Sequence, residues 1–203
     1  MSRGAGVRVV AGRFRGFRVE TRQGLELRPT ADRVKEALFS ILHPRLPDSV
    51  VLDCFSGSGS LGIEALSRGA SQVFFVENDP ESLAVLRGNL ERLPEPGNWM
   101  VIRGDGLRPA QWGAACLPVD LILADPPYRK GMGGEFLQKL DETNSLRRDG
   151  LLVLEHEKNI EPEHPRWEAV DRRRYGDTAL SFYRRDPGRK EKPDANRDIS
   201  GDV

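Results

Sequence analysis

Val50-Val51-Leu52-Asp53-Cys54-Phe55-Ser56-Gly57-Ser58-Gly59-Ser60-Leu61-Gly62 runs from an apolar triplet, through an acid, into a glycine-rich turn. Residues 61–68 then follow a helical pattern, so the stretch reads as strand, loop and helix. Outward from it the texture repeats. Residues 72–76, with Val73-Phe74-Phe75-Val76 at their centre, form a second apolar run. Asp79-Pro80 opens a helix that puts Leu83, Leu86, Leu90 and Leu93 on one stripe. Residues 100–102 and 120–124 read as third and fourth strands, 135–140 as a helix and 151–154 as a strand. Two late strands, 167–170 and 179–183, flank a Tyr175-Gly176-Asp177 turn, which places one antiparallel strand near the sheet edge. Continuous apolar strands between amphipathic helices indicate a parallel sheet covered on both faces. The fold class is α/β, a doubly wound, Rossmann-like sheet.

Towards the N-terminus, residues 7–11 and 16–20 read as two strands of a hairpin around Gly12-Arg13-Phe14-Arg15-Gly16, with Phe14 or Phe17 interleaved. Arg28-Pro29-Thr30 opens a helix with Thr30 as N-cap and Asp32 in the first turn. Val34, Leu38, Ile41 and Leu42 share one of its faces, and Pro44 ends it. The expected organisation is a basic hairpin arm over 1–28, a catalytic-type α/β domain over 29–185 and a disordered tail over 186–203, which has no aromatic residue and no apolar period.

The 203 residues are 38% hydrophobic and 31% charged, with 31 charges of each sign. That composition is globular and matches neither a disordered chain nor a coiled coil. Two cysteines, Cys54 and Cys116, make no disulfide framework, so a reducing cytoplasm is expected. No apolar run is long enough for a membrane span, and residues 1–10 lack the apolar centre of a signal peptide. His43, His156 and His164 have no ligand spacing, and Cys54 has no neighbouring base or second thiol; no metal is expected.

The zero net charge hides an asymmetry. Residues 1–49 carry ten Lys/Arg against five Asp/Glu, and residues 50–128 the reverse. Arg3, Arg8, Arg13, Arg15, Arg18, Arg22 and Arg28 are all arginine, whose planar fork suits phosphate oxygens. A basic arm beside an acidic body points to a polyanion held by one part and a cationic ligand by the other. Arg13, Arg15, Arg18 and Arg28 are the candidate contacts to that polyanion.

Gly57-Ser58-Gly59-Ser60-Leu61-Gly62 is a literal dinucleotide fingerprint, and Glu77 ends the next strand 20 residues after Gly57. Asp53 argues against that cofactor. A pyrophosphate at the loop would face a carboxylate, and like charges about 4 Å apart cost roughly 4 kcal/mol at an effective dielectric near 20. S-adenosylmethionine has no phosphate and carries an ammonium and a sulfonium, so Asp53 then attracts it. Ser56, Gly57 and Gly59 are candidate cofactor contacts in the loop, Glu77 suits a ribose diol, and Asp105 suits the adenine amino group. A nicotinamide dehydrogenase remains the competing reading of the loop.

Asp125-Pro126-Pro127-Tyr128 follows the apolar strand Leu121-Ile122-Leu123-Ala124. Two prolines stop the ladder and stiffen the exit. The Asp125 carboxylate and the Pro126 carbonyl can accept two hydrogen bonds from one planar amine, and Tyr128 can stack on a flat heterocycle. An exocyclic base amine is a poor nucleophile because its lone pair is delocalised. Acceptors on both hydrogens favour the pyramidal form and stabilise positive charge developing on nitrogen.

The glycine loop with Asp125-Pro126-Pro127-Tyr128 resembles the amino-methyltransferases of the S-adenosylmethionine-dependent superfamily. Arg8-Val9-Val10-Ala11-Gly12, Arg15-Gly16, the segment Arg28-Pro29-Thr30-Ala31-Asp32-Arg33-Val34-Lys35-Glu36-Ala37-Leu38-Phe39, Asp53 to Gly59, and Tyr175-Gly176-Asp177-Thr178 narrow it further. Together they resemble the bacterial small-subunit rRNA guanine-N2 methyltransferases of the RsmD type, over about residues 8–185. The resemblance implies a seven-stranded methyltransferase sheet with an N-terminal hairpin. It implies methylation of one guanine of 16S rRNA in an assembling small subunit, by a cytoplasmic enzyme. Asp125, Pro126, Pro127 and Tyr128 would then hold the guanine amine, and Asp53, Gly57, Gly59, Glu77 and Asp105 the cofactor. The polyanion met by Arg13, Arg15, Arg18 and Arg28 would be RNA. A monomer is expected because no dimer seam is visible. A DNA adenine or cytosine amino-methyltransferase and a non-catalytic ribosome-assembly factor are the alternatives; Trp112 and Cys116 fit no part of the pattern.

Overall fold

The computed structural model describes residues 6–22, 29–115, 118–127 and 131–186. Arg3, Arg28, Cys116, Tyr128 and the tail beyond Asp186 lie outside the described residues. In chain order the elements are β1 (Gly6–Arg8), β2 (Arg18–Glu20), α1 (Pro29–Leu42), β3 (Val50–Cys54), α2 (Ser60–Ser67), β4 (Gln72–Glu77), α3 (Pro80–Glu91), β5 (Trp99–Arg103), β6 (Val119–Ala124), α4 (Met132–Asp141), β7 (Leu146–Glu157), β8 (Trp167–Tyr175) and β9 (Thr178–Arg185). Strands β3 to β9 make one seven-stranded sheet ordered β5-β4-β3-β6-β7-β9-β8, and β1 pairs with β2 in a separate ribbon. β9 runs antiparallel to both its neighbours, which makes it the one reversed strand, second from the edge. Chain order reverses at β3, where β4 lies on one side and β6 on the other; ligands of open α/β sheets gather at such a switch point.

Period-two alternation divides the core. Val51, Val73, Phe75, Leu121, Leu123, Leu151 and Val153 join α1, α2, α3 and the N-terminal ribbon in one cluster. Leu52, Cys54, Phe74, Val76, Ile122, Ala124, Leu152 and Leu154 join α4, Trp112 and Trp167 in the other. Both faces of the central strands are therefore dry, as their unbroken apolar runs require. No helix among the described residues is long and apolar enough to cross a membrane.

Several boundaries differ from the sequence reading. β1 ends at Arg8: Val9 N–H still donates to the Phe17 carbonyl at 3.0 Å, but Val10 and Ala11 then turn away and donate to the buried Glu64 carboxylate at 2.8 and 3.1 Å. Phe14 is 1% exposed and belongs to the core, so it is unavailable for stacking on a base. α1 starts at Pro29, which fits the first helical turn, and Thr30 is inside the helix instead of capping it. Its buried face runs through Val34, Lys35, Leu38, Phe39 and Leu42, leaving Ile41 at the margin and 37% exposed. β7 begins at Leu146, five residues earlier than its apolar run, because Leu146 pairs with Val119 ahead of a register shift. Trp112 is fully buried between two short turns and fills the space beneath α4's end of the sheet.

Candidate active site

Five parallel strands end in a carboxylate, or lead to one just beyond: Asp53 on β3, Glu77 on β4, Asp105 after β5, Asp125 after β6 and Glu155 on β7. Strand alternation puts Asp53, Glu77, Asp125 and Glu155 on the face of Val51, Phe75, Leu123 and Val153. The acids are thus gathered along the C-terminal edge, on the side that carries α2 and α3.

The loop between β3 and α2 is closed by its own acids. Asp53 is 1% exposed and accepts from the Gly62 N–H at 2.8 Å, occupying one of the free donors at the helix start. Glu77 accepts from Gly57 N–H through Oε2 at 2.8 Å, and from Asn78 and Asp79 N–H through Oε1 at 2.9 and 2.8 Å. Gly59 N–H is bonded to the Ser56 carbonyl. A dinucleotide loop leaves such amides open for pyrophosphate. Here Gly57 and Gly62 serve carboxylates and Gly59 serves a carbonyl, and the charges of Asp53 and Glu77 set a field that disfavours an anion.

The glycines have steric causes. Gly59 has φ 82°, and a Cβ at Gly62 would sit 2.2 Å from the Phe75 ring and 2.9 Å from Asp53 Oδ2. Phe55 adopts φ 59°, rare for a non-glycine residue, with its ring edge-on to Phe136 and against Gly106. Ser56 is buried, its Oγ donating to the Asp53 carbonyl at 2.7 Å and lying 3.2 Å from that of Val76. Its side chain therefore knits β3 to β4 and shapes the loop from behind.

Burial pushes the Asp53 carboxyl up to about 7; the Gly62 hydrogen bond opposes this and the nearby Glu77 charge adds to it. Asp125 is also raised, by desolvation among the strand ends and then by the charges of Glu155 and Asp53. Asp125 itself is exposed at the crevice mouth. A cation placed among these groups restores the ionised forms.

Asp105 is fixed from three sides. Its carbonyl accepts from Trp112 Nε1 at 3.0 Å, its N–H donates to Gln111 Oε1 at 3.2 Å, and its Oδ1 accepts from Leu107 N–H at 3.0 Å. With Asn78, Arg103, Gly104, Arg108 and Gln111 it lines an open depression of about 420 Å³. Trp112, which fitted no sequence pattern, is thus the support of a candidate cofactor residue.

Pro126 is buried and Pro127 exposed directly after Asp125. The preceding Ala124 pairs with Cys54 of β3 on one side and Leu154 of β7 on the other. The rigid exit therefore emerges beside both the cofactor loop and Glu155. Glu155 is missed by the motifs, although Leu151-Leu152-Val153-Leu154-Glu155 repeats the apolar-run-then-acid pattern of the other strands.

Arg13, Arg15 and Arg18 are exposed on the N-terminal ribbon. Arg13 stacks over Phe14 at 4.6 Å. Arg22, by contrast, pairs with Asp79, the N-cap of α3, at 3.5 Å and with Glu81 of its first turn at 2.7 Å. The ribbon is tied to the loop through buried Asn89: its Oδ1 accepts from Glu20 N–H, while its Nδ2 donates to the carbonyls of Glu20 and Ser58, all at 2.9 Å. No group of three or more His, Cys, Asp or Glu that could hold a metal ion occurs among the described residues.

The family model described as Conserved hypothetical protein 95 matches residues 7–184. The Ribosomal RNA small subunit methyltransferase D of Escherichia coli K12 is 35% identical over 183 residues, covering 89% of this chain and 90% of the relative. The protein of the same name from Haemophilus influenzae is 35% identical over 181 residues, covering 87% and 93%. Among solved structures, the Escherichia coli protein yhhF superposes with a TM-score of 0.79 at 34% identity, covering 90% of this chain and 99% of its own.

Proposed function

Because the chain belongs to the Conserved hypothetical protein 95 family, the family of Ribosomal RNA small subunit methyltransferase D, we propose that it transfers a methyl group from S-adenosylmethionine to the exocyclic N2 amine of a guanine in 16S rRNA. The observation that carries this reading is the loop whose amides are taken by Asp53 and Glu77, set directly beside the Asp125-Pro126-Pro127 exit.

The donor set fits a cationic, phosphate-free cofactor. Asp53 faces the methionine end, and Glu77 has one acceptor site left on Oε2 for a ribose hydroxyl. Gly57 borders open space and keeps the approach clear, Gly59 lets the loop pack against Leu86, and the Asp105 depression takes the adenine. When bound, S-adenosylmethionine supplies an electrophilic methyl group on a sulfonium. The Asp125 carboxylate and the Pro126 carbonyl accept the two N2 hydrogens, which draws the guanine lone pair out of the ring and stabilises positive charge on nitrogen, and the Asp125 carboxylate takes the proton that N2 gives up once methylated. Pro126 and Pro127 hold those acceptors still, so little reorganisation is needed at the moment of transfer. Tyr128, next in the chain, is assigned the stacking partner of the base. A guanine paired or stacked in rRNA is splayed out to reach them.

Arg13, Arg15, Arg18 and Arg28 are assigned to rRNA phosphates. The substrate is taken to be an assembling small subunit, and the enzyme a cytoplasmic monomer. The test is transfer of labelled methyl to small subunits from a strain lacking this activity, followed by mapping of the modified nucleotide. A single N2-methylguanine in 16S rRNA is expected. D125N should lower transfer by roughly 100- to 1,000-fold while cofactor binding persists. Cofactor binding without transfer to any small subunit would leave a non-catalytic assembly role, and an undiminished D125N would remove Asp125 from the chemistry.

A further inference from the structure

An amine-holding pair of acceptors does not by itself select a base. Adenine, cytosine and guanine all present an exocyclic amine, but they differ at the neighbouring ring nitrogen. Guanine carries an N1–H donor beside its N2 amine, whereas adenine N1 and cytosine N3 carry a lone pair. A site for guanine therefore needs a further acceptor next to the one that takes the amine.

Glu155 is placed for that role. β6 and β7 run parallel with Ala124 opposite Leu154, so Asp125 and Glu155 are the next residues in line on adjacent strands. Alternation sends Glu155 to the face of Leu151 and Val153, the face Asp125 shares with Leu121 and Leu123. Its backbone is held by pairing with Leu180 of β9. The two charges feel each other, since Glu155 raises the Asp125 carboxyl. His156, the next residue, is engaged by Ser181 Oγ at 2.7 Å.

Resting on the guanine-N2 reading above, we propose that Glu155 is the specificity-determining residue of the site. Its carboxylate accepts the guanine N1–H beside the amine held by Asp125 and Pro126. The same carboxylate opposes the ring-nitrogen lone pair of adenine or cytosine, so it rejects the wrong bases as well as holding the right one.

The test uses the full chain and small subunits reconstituted with either guanine or 2-aminopurine at the mapped position. 2-Aminopurine keeps the amine but has a lone pair at N1. Wild type should favour guanine by about 10- to 100-fold in kcat/KM. E155Q should lose transfer to guanine and bring the ratio close to one, because its amide can donate to N1. E155D should retain the preference, and both variants should bind cofactor as wild type does. A purely structural role for Glu155 would lower transfer to both substrates alike and leave the ratio intact, which would overturn the proposal, as would a wild type indifferent to the replacement. Failure of wild type to methylate N2 of unmodified guanine would instead overturn the reading on which it rests.

Discussion

With its carboxyl raised to about 7 by burial, Asp53 keeps a proton in the native protein at pH values where the unfolded chain has already lost it. An unperturbed aspartate titrates near 3.9, so between about pH 4 and 7 the native state binds the extra proton. Stability from this group is full below about pH 4, falls as pH rises to 7, and is level above. The loss is on the order of 4 kcal/mol for a shift of about three units. Asp53→Asn, whose amide oxygen can still accept from Gly62 N–H, should therefore raise Tm at pH 8, with the gain shrinking towards pH 4. The same variant should weaken S-adenosylmethionine binding about tenfold, or ~1.4 kcal/mol, at pH 8. Wild-type affinity should rise with pH through 7. Equal melting curves for the two proteins at pH 8 would show that burial of this carboxylate costs nothing. Its presence at the end of a strand was legible in the sequence; its bond to Gly62 was not, because that depends on how α2 settles over β3.

Helix α2 carries a second buried acid, and this one organises elements. Glu64 is fully buried and accepts from Val10 N–H, Ala11 N–H and Arg68 Nε, the last at 2.8 Å, with Lys35 Nζ 3.7 Å away. Lys35 in turn donates to the Arg8 carbonyl at 2.6 Å. One carboxylate thus joins the N-terminal ribbon, α1 and α2. Glu64→Ala would take the acceptor from Arg68 Nε and two backbone donors and remove the carboxylate beside Lys35, and should cost about 3–5 kcal/mol, read as a fall in the urea midpoint. Trypsin should then cleave at Arg13 and Arg15 faster than in wild type. A loss below 1 kcal/mol with unchanged cleavage would mean that apolar packing of Val9, Phe14 and Val19 suffices to hold the ribbon. In the sequence, Lys35 and Glu64 look like the solvent-facing residues of two amphipathic helices. Only the crossing of α1, α2 and the ribbon makes them partners.

Across the whole molecule the charges balance, yet the exposed Arg13, Arg15 and Arg18 stand apart from the acids of the crevice. Replacing all three with glutamine should weaken rRNA binding and reduce the slope of log affinity against log salt by about 2. Cofactor affinity should persist, since the Asn89 bridge from Glu20 to Ser58 uses none of these side chains. Isothermal titration with cofactor and filter binding with RNA at several salt concentrations separate the two effects. A parallel loss of cofactor binding would show that these arginines stabilise the glycine loop.

The sequence by itself determined what is local and periodic. Apolar runs of period two on both faces required a covered parallel sheet, the glycine loop marked its first crossover, and Asp125-Pro126-Pro127 marked a rigid strand exit. Asp53, Glu77 and Asp105 announced an acidic edge because each ends or follows an apolar run. Tertiary structure decided which of these groups meet. The β6–β7 register set Glu155 beside Asp125, the fold turned Ser56 inward, and Trp112 found its place beneath Asp105. Such contacts join residues distant in the chain through side-chain hydrogen bonds and packing, and those leave no repeat in the sequence.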